Sequence, residues 1–447
     1  MSRISELVER FREHADAYKS GAYNETQLRR EFLDPFFECL GWDVYNTQGY
    51  AEAYKDVVHE DAIKVGSATK APDYAFRIGG IRKFFVEAKK PSVHIKEDMP
   101  PAFQLRRYAW SAKLPLSILT DFEEFAVYDC RTKPLPTDKA GKSRILYFTC
   151  DQYAEKFDEI RSIFSRDAIL KGAFDKYAAS TKPRGTMEVD DEFLKDMELW
   201  RASLAGNIAS NNSLSVRELN HAVQMTIDRI VFLRVCEDRG IEMYGALQAL
   251  QNGPNVYPRL VQLFRKADDR YNSGLFHFDR ERDRPEAPDT LTPNLAIGDK
   301  TLKEIIKGLY YPVSPYEFSV LSADILGQVY ERFLGKVIVP KGRGAEIIEK
   351  PEVKKAGGVY YTPTFIVEYI VNNTVGKLVE GKTPKEASAL RILDPACGSG
   401  SFLLGAYEFL LKWHRDWYAN NNPEEHAKGK APKIYQAGVN DWRLTTA

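Results

Sequence analysis

Apolar residues recur along this chain with two different periods. In "NETQLRREFLDPFFECLGW", Leu28, Phe32, Phe36 and Leu40 fall at helical spacing, and Gly41 supplies a stop. Further on, "DYAFRI", "KFFVEA", "LSILT", "EFAVYDC" and "ILYFT" are short runs of aromatic and branched residues, which predict strands. Strands interleaved with helical patterns predict a mixed-sheet α/β domain over residues 1–180. The polar stretch "AASTKPRGTMEVDD" reads as a linker, and the pattern beyond it, over 185–345, predicts an all-α domain. There, in "SVRELNHAVQMTIDRIVFLRVCEDRG", Leu219, Val223, Thr226, Ile230 and Leu233 line one helix face, with Gly240 as the stop. Residues 277–300 read as an exposed loop, and "FSVLSADILGQVYERFLG" as another helix. The Lys- and Gly-rich break "PKGRGAEIIEKPEVKKAGG" leads into a final block, 346–447. Within it, "LRILDPACGSGSFLLGAYEFLLKW" predicts a strand over 390–393, a glycine-rich turn and an apolar helix.

Composition narrows the class without choosing a function. A chain of 447 residues is too long for one ordinary core, so about two to four domains are expected. Lys+Arg and Asp+Glu both number 63, so any basic surface that meets an acidic partner must be local. The five cysteines are scattered and show no zinc-type spacing, the pattern of reduced thiols in a cytoplasmic protein. No apolar run approaches the length of a membrane span, so no membrane contact is expected.

Two constellations carry chemistry. The first lies in "PDYAFRIGGIRKFFVEAKKP". A hairpin turning at Gly79-Gly80 sets Asp73 at the start of one strand, and Glu87 and Lys89 on one face of the next, since side chains alternate with period two. Two carboxylates with a nearby lysine suit a Mg²⁺-assisted hydrolysis of phosphodiesters. Glu25 continues the Leu28-Phe32-Phe36 stripe, an inward position that is costly for a carboxylate unless paired or metal-bound; an ion pair with Arg29 is the alternative. Gln104 and Tyr108 stand one helical turn apart with Arg106 and Arg107 between them, a set that suits contacts to a phosphate backbone. Arg82, Lys83, Lys90 and Lys96 fit either phosphate contacts or a solvated face.

These residues, in this order, resemble the PD-(D/E)xK nuclease family in its RecB-like form. The resemblance implies Mg²⁺ on Asp73 and Glu87, assistance to the nucleophile from Lys89, and Glu25 completing the acidic site. It gives Gln104 and Tyr108 a supporting role toward DNA.

The second constellation is Asp394-Pro395-Ala396-Cys397-Gly398-Ser399-Gly400-Ser401-Phe402. A glycine turn opening a helix lets backbone amides approach a polar ligand closely, and the lack of a following Lys excludes the GxxxxGK[ST] type. The stretch resembles the S-adenosylmethionine motif of amino-methylating, adenine-N6-type DNA methyltransferases, and "GGVYYTPTFIVEYIV" resembles its companion motif. Thr362 suits an N-cap and Pro363 a first helical position. The resemblance implies cofactor contacts from Asp394, Ala396, Gly398, Gly400 and Phe402, with Tyr361, Thr362 and Pro363 closing the pocket. That family also needs an Asn/Asp-Pro-Pro-Tyr/Phe loop for the flipped base, and this sequence has none; "NNNPEEH" is the nearest match. The methyltransferase-like part is thus expected to be an incomplete Rossmann-like domain that does not transfer methyl groups by itself.

Nuclease, helical connector and methyltransferase start, in that order, resemble the N-terminal portion of a type IIG, single-chain restriction-modification enzyme. The resemblance implies double-stranded DNA as substrate and the missing methyltransferase and target-recognition part, on a separate chain or a longer one, as a partner. A methyltransferase fragment without cleavage, and a DNA-binding or assembly module, are the alternatives.

Overall fold

The computed structural model describes residues 3–50, 52, 55–59, 64–65, 68–69, 71–181, 188–271, 273–280, 287–341, 344–350, 362–398, 400–429, 431–438 and 441–445. They fall into two compact units, Met1–Ser322 with Val337–Ile348, and Ala323–Lys336 with Glu349–Ala447.

The first unit is built on a six-stranded sheet whose strands neighbour one another in chain order. They are β1 (Val57–His59), β2 (Tyr74–Ile78), β3 (Ile81–Ala88), β4 (Leu116–Thr120), β5 (Glu124–Asp129) and β6 (Arg144–Thr149). β3 and β4 run parallel and the other neighbours antiparallel, so the sheet is mixed as expected. Gly79 and Gly80 both have positive φ, +58° and +83°, which a two-residue turn between right-twisted strands demands.

Alternation along the strands feeds two cores. Tyr74, Phe76, Phe84, Val86 and Ala88 pack on one face. They meet Phe11 from helix α1 (Arg3–Glu13) and Leu28, Phe32 and Phe36 from α2, which joins Glu25–Leu28, a π-helical turn Arg29–Leu33 and Asp34–Cys39. An Asn24–Gln27 capping box starts α2. On the other face, Ala75, Phe85 and Leu119 meet Leu105 and Ala109 of α3 (Met99–Ser111), the crossover between the parallel strands.

The same unit holds the helices that follow, among them α4 (Tyr153–Phe164), α5 (Val189–Asn211), α6 (Val216–Asp238), α7 (Val256–Tyr271) and α8 (Asp299–Gly308). Leu219, Val223, Thr226, Ile230 and Leu233 of α6 are buried, and Gly240 follows with positive φ. The loop expected to be exposed over 277–300 is instead anchored: His277, Phe278, Thr292, Leu295 and Ile297 are buried. Its Asp289 accepts a 2.8 Å hydrogen bond from Arg229, a fully buried guanidinium on α6 that requires a charged partner.

The second unit starts earlier than the sequence division suggests, with α9 (Ala323–Leu334). A strand pair, Lys336–Lys341 with Gly344–Glu349, runs into the Lys- and Gly-rich stretch read as a break, and nearly all of it belongs to the first unit. Helices α10 (Thr364–Val371) and α11 (Ser401–Asn420) share a small core of Val367, Val371, Val375 and Ala406. A Cβ on Gly405 would stand 2.6 Å from Val367 Cγ1, so glycine is what lets these two helices approach. The strand expected over 390–393 does not form. Leu393 is 85% exposed, and among the described residues no strand pairs with it; a parallel strand exists only through its ladder partners. α10 begins at Thr364, with Pro363 and not Thr362 in the N-cap position.

Candidate active site

Strand parity delivers the first constellation. Asp73, Ala75, Phe85 and Glu87 belong to the sheet face that α3 covers, because Tyr74, Phe84, Val86 and Ala88 occupy the other. Glu87 is 2% exposed. Its Oε1 accepts from Lys89 Nζ at 2.7 Å and from Gln104 Nε2, also at 2.7 Å, so strand end and crossover helix converge on one oxygen. Its Oε2 is buried without a hydrogen-bond partner. Asp73 Oδ2 accepts the Ala88 N–H at 2.8 Å, which ties the two strand ends together. Lys89, just beyond β3, donates its N–H to Thr120 O at 3.0 Å, so β4 fixes its backbone.

One member of the site escaped the sequence reading in this role. Arg29 pairs with Asp73, with Nη1 3.2 Å from Oδ1, and not as the simple surface partner of Glu25. Its Nη2 lies 3.3 Å from Asp73 O and 3.2 Å from His59 Nδ1, and its guanidinium sits over the Tyr74 ring. Arg29 opens the π-helical turn of α2; such turns recur at functional sites, but no residue pattern marks one, so the sequence held no signal for this role.

The electrostatics are those of crowded carboxylates. Burial, then the Asp73 charge, pushes the Glu87 carboxyl up; Lys89 opposes this. Burial likewise raises Asp73, against Arg29, the Ala88 amide and Lys89. Burial would lower the Lys89 ammonium, but Glu87 outweighs it and the net direction is up. Glu25, half-buried at the start of α2, acts on all three through its charge. Tyr108 is buried on α3 beside Gln104, and burial pushes its hydroxyl pKa up.

Arg106 and Arg107 do not offer themselves to a phosphate backbone. Arg106 is buried in an ion pair with Asp138 at 2.8 Å, and Arg107 pairs with Glu317. Lys83 lies 3.4 Å from Asp175, and Arg82 reaches Val320 O. Both arginines of α3 face protein because the helix is a covered crossover.

Among the described residues, no cluster of three or more His, Cys, Asp or Glu is arranged to hold a metal ion. Mg²⁺ does not require one, since it commonly binds through one or two carboxylates with water and substrate phosphates completing its shell. The partnerless buried Glu87 Oε2 beside Asp73 fits that chemistry.

The second constellation forms a turn on the second unit. Gly398 and Gly400 have φ of +53° and +80°, and Gly400 is the N-cap residue of α11. Asp394 Oδ1 accepts the Ala396 N–H at 3.0 Å, shaping the turn. A Cβ on Gly398 would collide with the carboxylate of Glu331 on α9, a contact invisible in the sequence. Phe402 packs against the α10–α11 core, while Thr362 and Pro363 precede α10. Tyr361 lies outside the described residues.

Residues 22–135 match the family model described as the N terminus of the type I restriction enzyme R protein, and residues 321–435 match that of N-6 DNA methylase. A type II restriction enzyme and methyltransferase of Escherichia coli is 39% identical over 94% of this chain and 41% of its own length. The methylase subunit of a type I restriction enzyme of Methanocaldococcus jannaschii is 26% identical, over 48% of this chain and 40% of its own. A type IIG restriction endonuclease of known crystal structure is 15% identical, covering 85% of this chain and 37% of that one, with a TM-score of 0.25. The chain thus spans about two-fifths of the length of these relatives. The matches bear out the resemblance to restriction-modification enzymes.

Proposed function

We propose that this chain is the DNA-cleaving portion of a single-chain restriction-modification enzyme, and that it hydrolyses phosphodiesters of double-stranded DNA. The observation that carries this reading is the convergence of Asp73, Glu87, Lys89 and Gln104 at one buried point, with an oxygen of Glu87 left without a partner. Asp73 and Glu87 would hold Mg²⁺, which when bound supplies a charge sink for the phosphate and lowers the pKa of water. Lys89, fixed by Glu87 and by the β4 backbone, orients the attacking water. Gln104 holds the Glu87 carboxylate in place from α3, Tyr108 supports that helix, and Glu25 adds negative charge on the α2 side.

On the second unit, Asp394, Ala396, Gly398, Gly400 and Phe402, with Tyr361, Thr362 and Pro363, would hold S-adenosylmethionine, whose bound sulfonium supplies the methyl group. The turn amides and the start of α11, capped at Gly400, would meet the polar end of that ligand. The 447 residues hold no Asn/Asp-Pro-Pro-Tyr/Phe loop, so this unit is assigned cofactor binding, and adenine-N6 methylation is not assigned to it. Residues 1–180, 185–345 and 346–447 serve in this reading as nuclease, connector and methyltransferase parts.

The test is cleavage of supercoiled plasmid with Mg²⁺ or EDTA, by the parent chain and by Asp73→Ala and Lys89→Ala, each with and without S-adenosylmethionine. Nicking or linearisation that needs Mg²⁺ and both side chains is expected. DNA retention that falls steeply with salt but yields no Mg²⁺-dependent product would favour a binding module instead.

A further inference from the structure

Gln104, Arg107, Tyr108 and Ser111 recur at i, i+3, i+4 and i+7, so they form one stripe along α3. One end of the stripe touches the candidate active site, through Gln104 and Glu87. The other end is held by a different part of the same unit, the segment 316–321 that precedes α9 in the sequence. Glu317, 1% exposed, pairs with Arg107, and its N–H donates to Ser111 Oγ at 3.0 Å. The Tyr316 ring stacks on Trp110, also of α3, with centroids 5.8 Å apart.

The segment is itself clamped from the helical side. Phe318 N–H donates to Asp238 Oδ2 at 3.2 Å, and Arg239 Nη2 donates to Leu321 O at 3.1 Å, both from the end of α6. Val320 enters the core between α3 and the sheet. A buried charge pair is poor value for stability alone, because desolvation offsets most of its attraction; what it does supply is a single geometry. Here that geometry is the seat of α3 against Glu87.

We propose that Glu317 is a positioning residue for the candidate active site: through Arg107 and Ser111 it fixes α3 so that Gln104 meets Glu87. This inference rests on the nuclease reading for its catalytic consequence, but not for its structural one. Sub-ångström seating matters because a misplacement of about 1 Å can lower a rate about a hundredfold.

The test compares the 447-residue chain with Glu317→Gln, which keeps shape and removes charge. The Arg107→Met/Glu317→Met double variant replaces the pair with apolar side chains should the single variant fold poorly. Amide exchange across α3, the kcat and KM for plasmid cleavage, and DNA affinity in Ca²⁺ are measured together. Expected are a loss of protection confined to α3 and about a tenfold or greater fall in kcat, with KM and DNA affinity unchanged. Parental exchange and kcat in both variants would overturn the proposal. So would a loss of protection spread evenly over sheet and helices, which marks a purely structural residue. A parent chain that cleaves under no condition tells against the nuclease reading instead, and exchange in α3 then still decides whether Glu317 seats that helix.

Discussion

At the scale of single residues, side chains that look alike in sequence separate by what they face. Arg106, Arg107 and Arg29 are all basic residues near candidate carboxylates, yet the first two are spent inside the protein and only the third reaches Asp73. Asp289 shows how such a partner sets pH dependence. Burial pushes its carboxyl up, but hydrogen bonds from Thr292 and the Arg229 charge more than offset this and hold it below the usual range. With the folded value below the unfolded one, its contribution is whole above about pH 4 and is lost as pH falls through the folded value. Asp289→Asn leaves Arg229 buried without its charge partner, which is expected to cost about 3 kcal/mol at neutral pH. It should also flatten the acid limb, and thermal melts of parent and variant across acidic and neutral pH check both. Gly398 makes the same point on the second unit. A side chain there takes a positive φ, at about 1–2 kcal/mol, and displaces the Glu331 carboxylate, so Gly398→Ala is expected to weaken S-adenosylmethionine binding about tenfold in calorimetry while the first unit melts as before.

At the scale of elements, the β2–β3 hairpin and α3 do most of the positioning. The Gly79-Gly80 turn pairs Ile78 with Ile81, and a register shift beyond Arg77 then brings Tyr74 opposite Val86, which carries Asp73 to the level of Glu87, within reach of the Ala88 N–H. Replacing either glycine with alanine forces a side chain into the left-handed region at about 1–2 kcal/mol. The expected outcome is a lower midpoint in urea, with cleavage surviving wherever the fold does. Gln104→Ala should do the opposite, leaving stability within about 1 kcal/mol and reducing cleavage, because it removes one hydrogen bond to a carboxylate that must stay oriented. A urea curve and a plasmid assay on each variant separate the two effects.

At the scale of the whole molecule, the two units differ in how well they cover themselves. The first buries aromatic cores on both sheet faces. The second leaves Phe365 and Tyr369 on α10 and Leu404 and Tyr407 on α11 exposed, along with Leu393. Apolar faces of this kind associate unless something covers them. The chain is expected to self-associate as its concentration rises. Changing Leu393, Leu404 and Tyr407 to Lys should reduce light scattering without altering the melting of the first unit. A second check is limited proteolysis, in which residues beyond about 345 should be cut faster than those of the first unit; equal resistance would refute it.

Much of the first unit is legible in its sequence. The period-two runs became β2 through β6, the helical stripes became α2 and α6, and Gly41, Gly240 and the Gly79-Gly80 pair stand where turns and stops need them. Local sequence determines these features because side-chain period and backbone freedom are local properties. Parity along β3 likewise set Glu87 and Lys89 on one face. What the sequence could not decide was every matter of pairing at long range. Arg29 finds Asp73 across 44 positions, Gln104 reaches Glu87 from a crossover helix, and Glu317 closes on Arg107 across 210. Residues 390–393 read as a strand but form none, since a strand needs a neighbour that local pattern cannot supply. Local pattern thus settles which chemical groups are present and on which faces they stand. Which of them meet is set by the fold, because burial and charge pairing depend on distances between segments far apart along the chain.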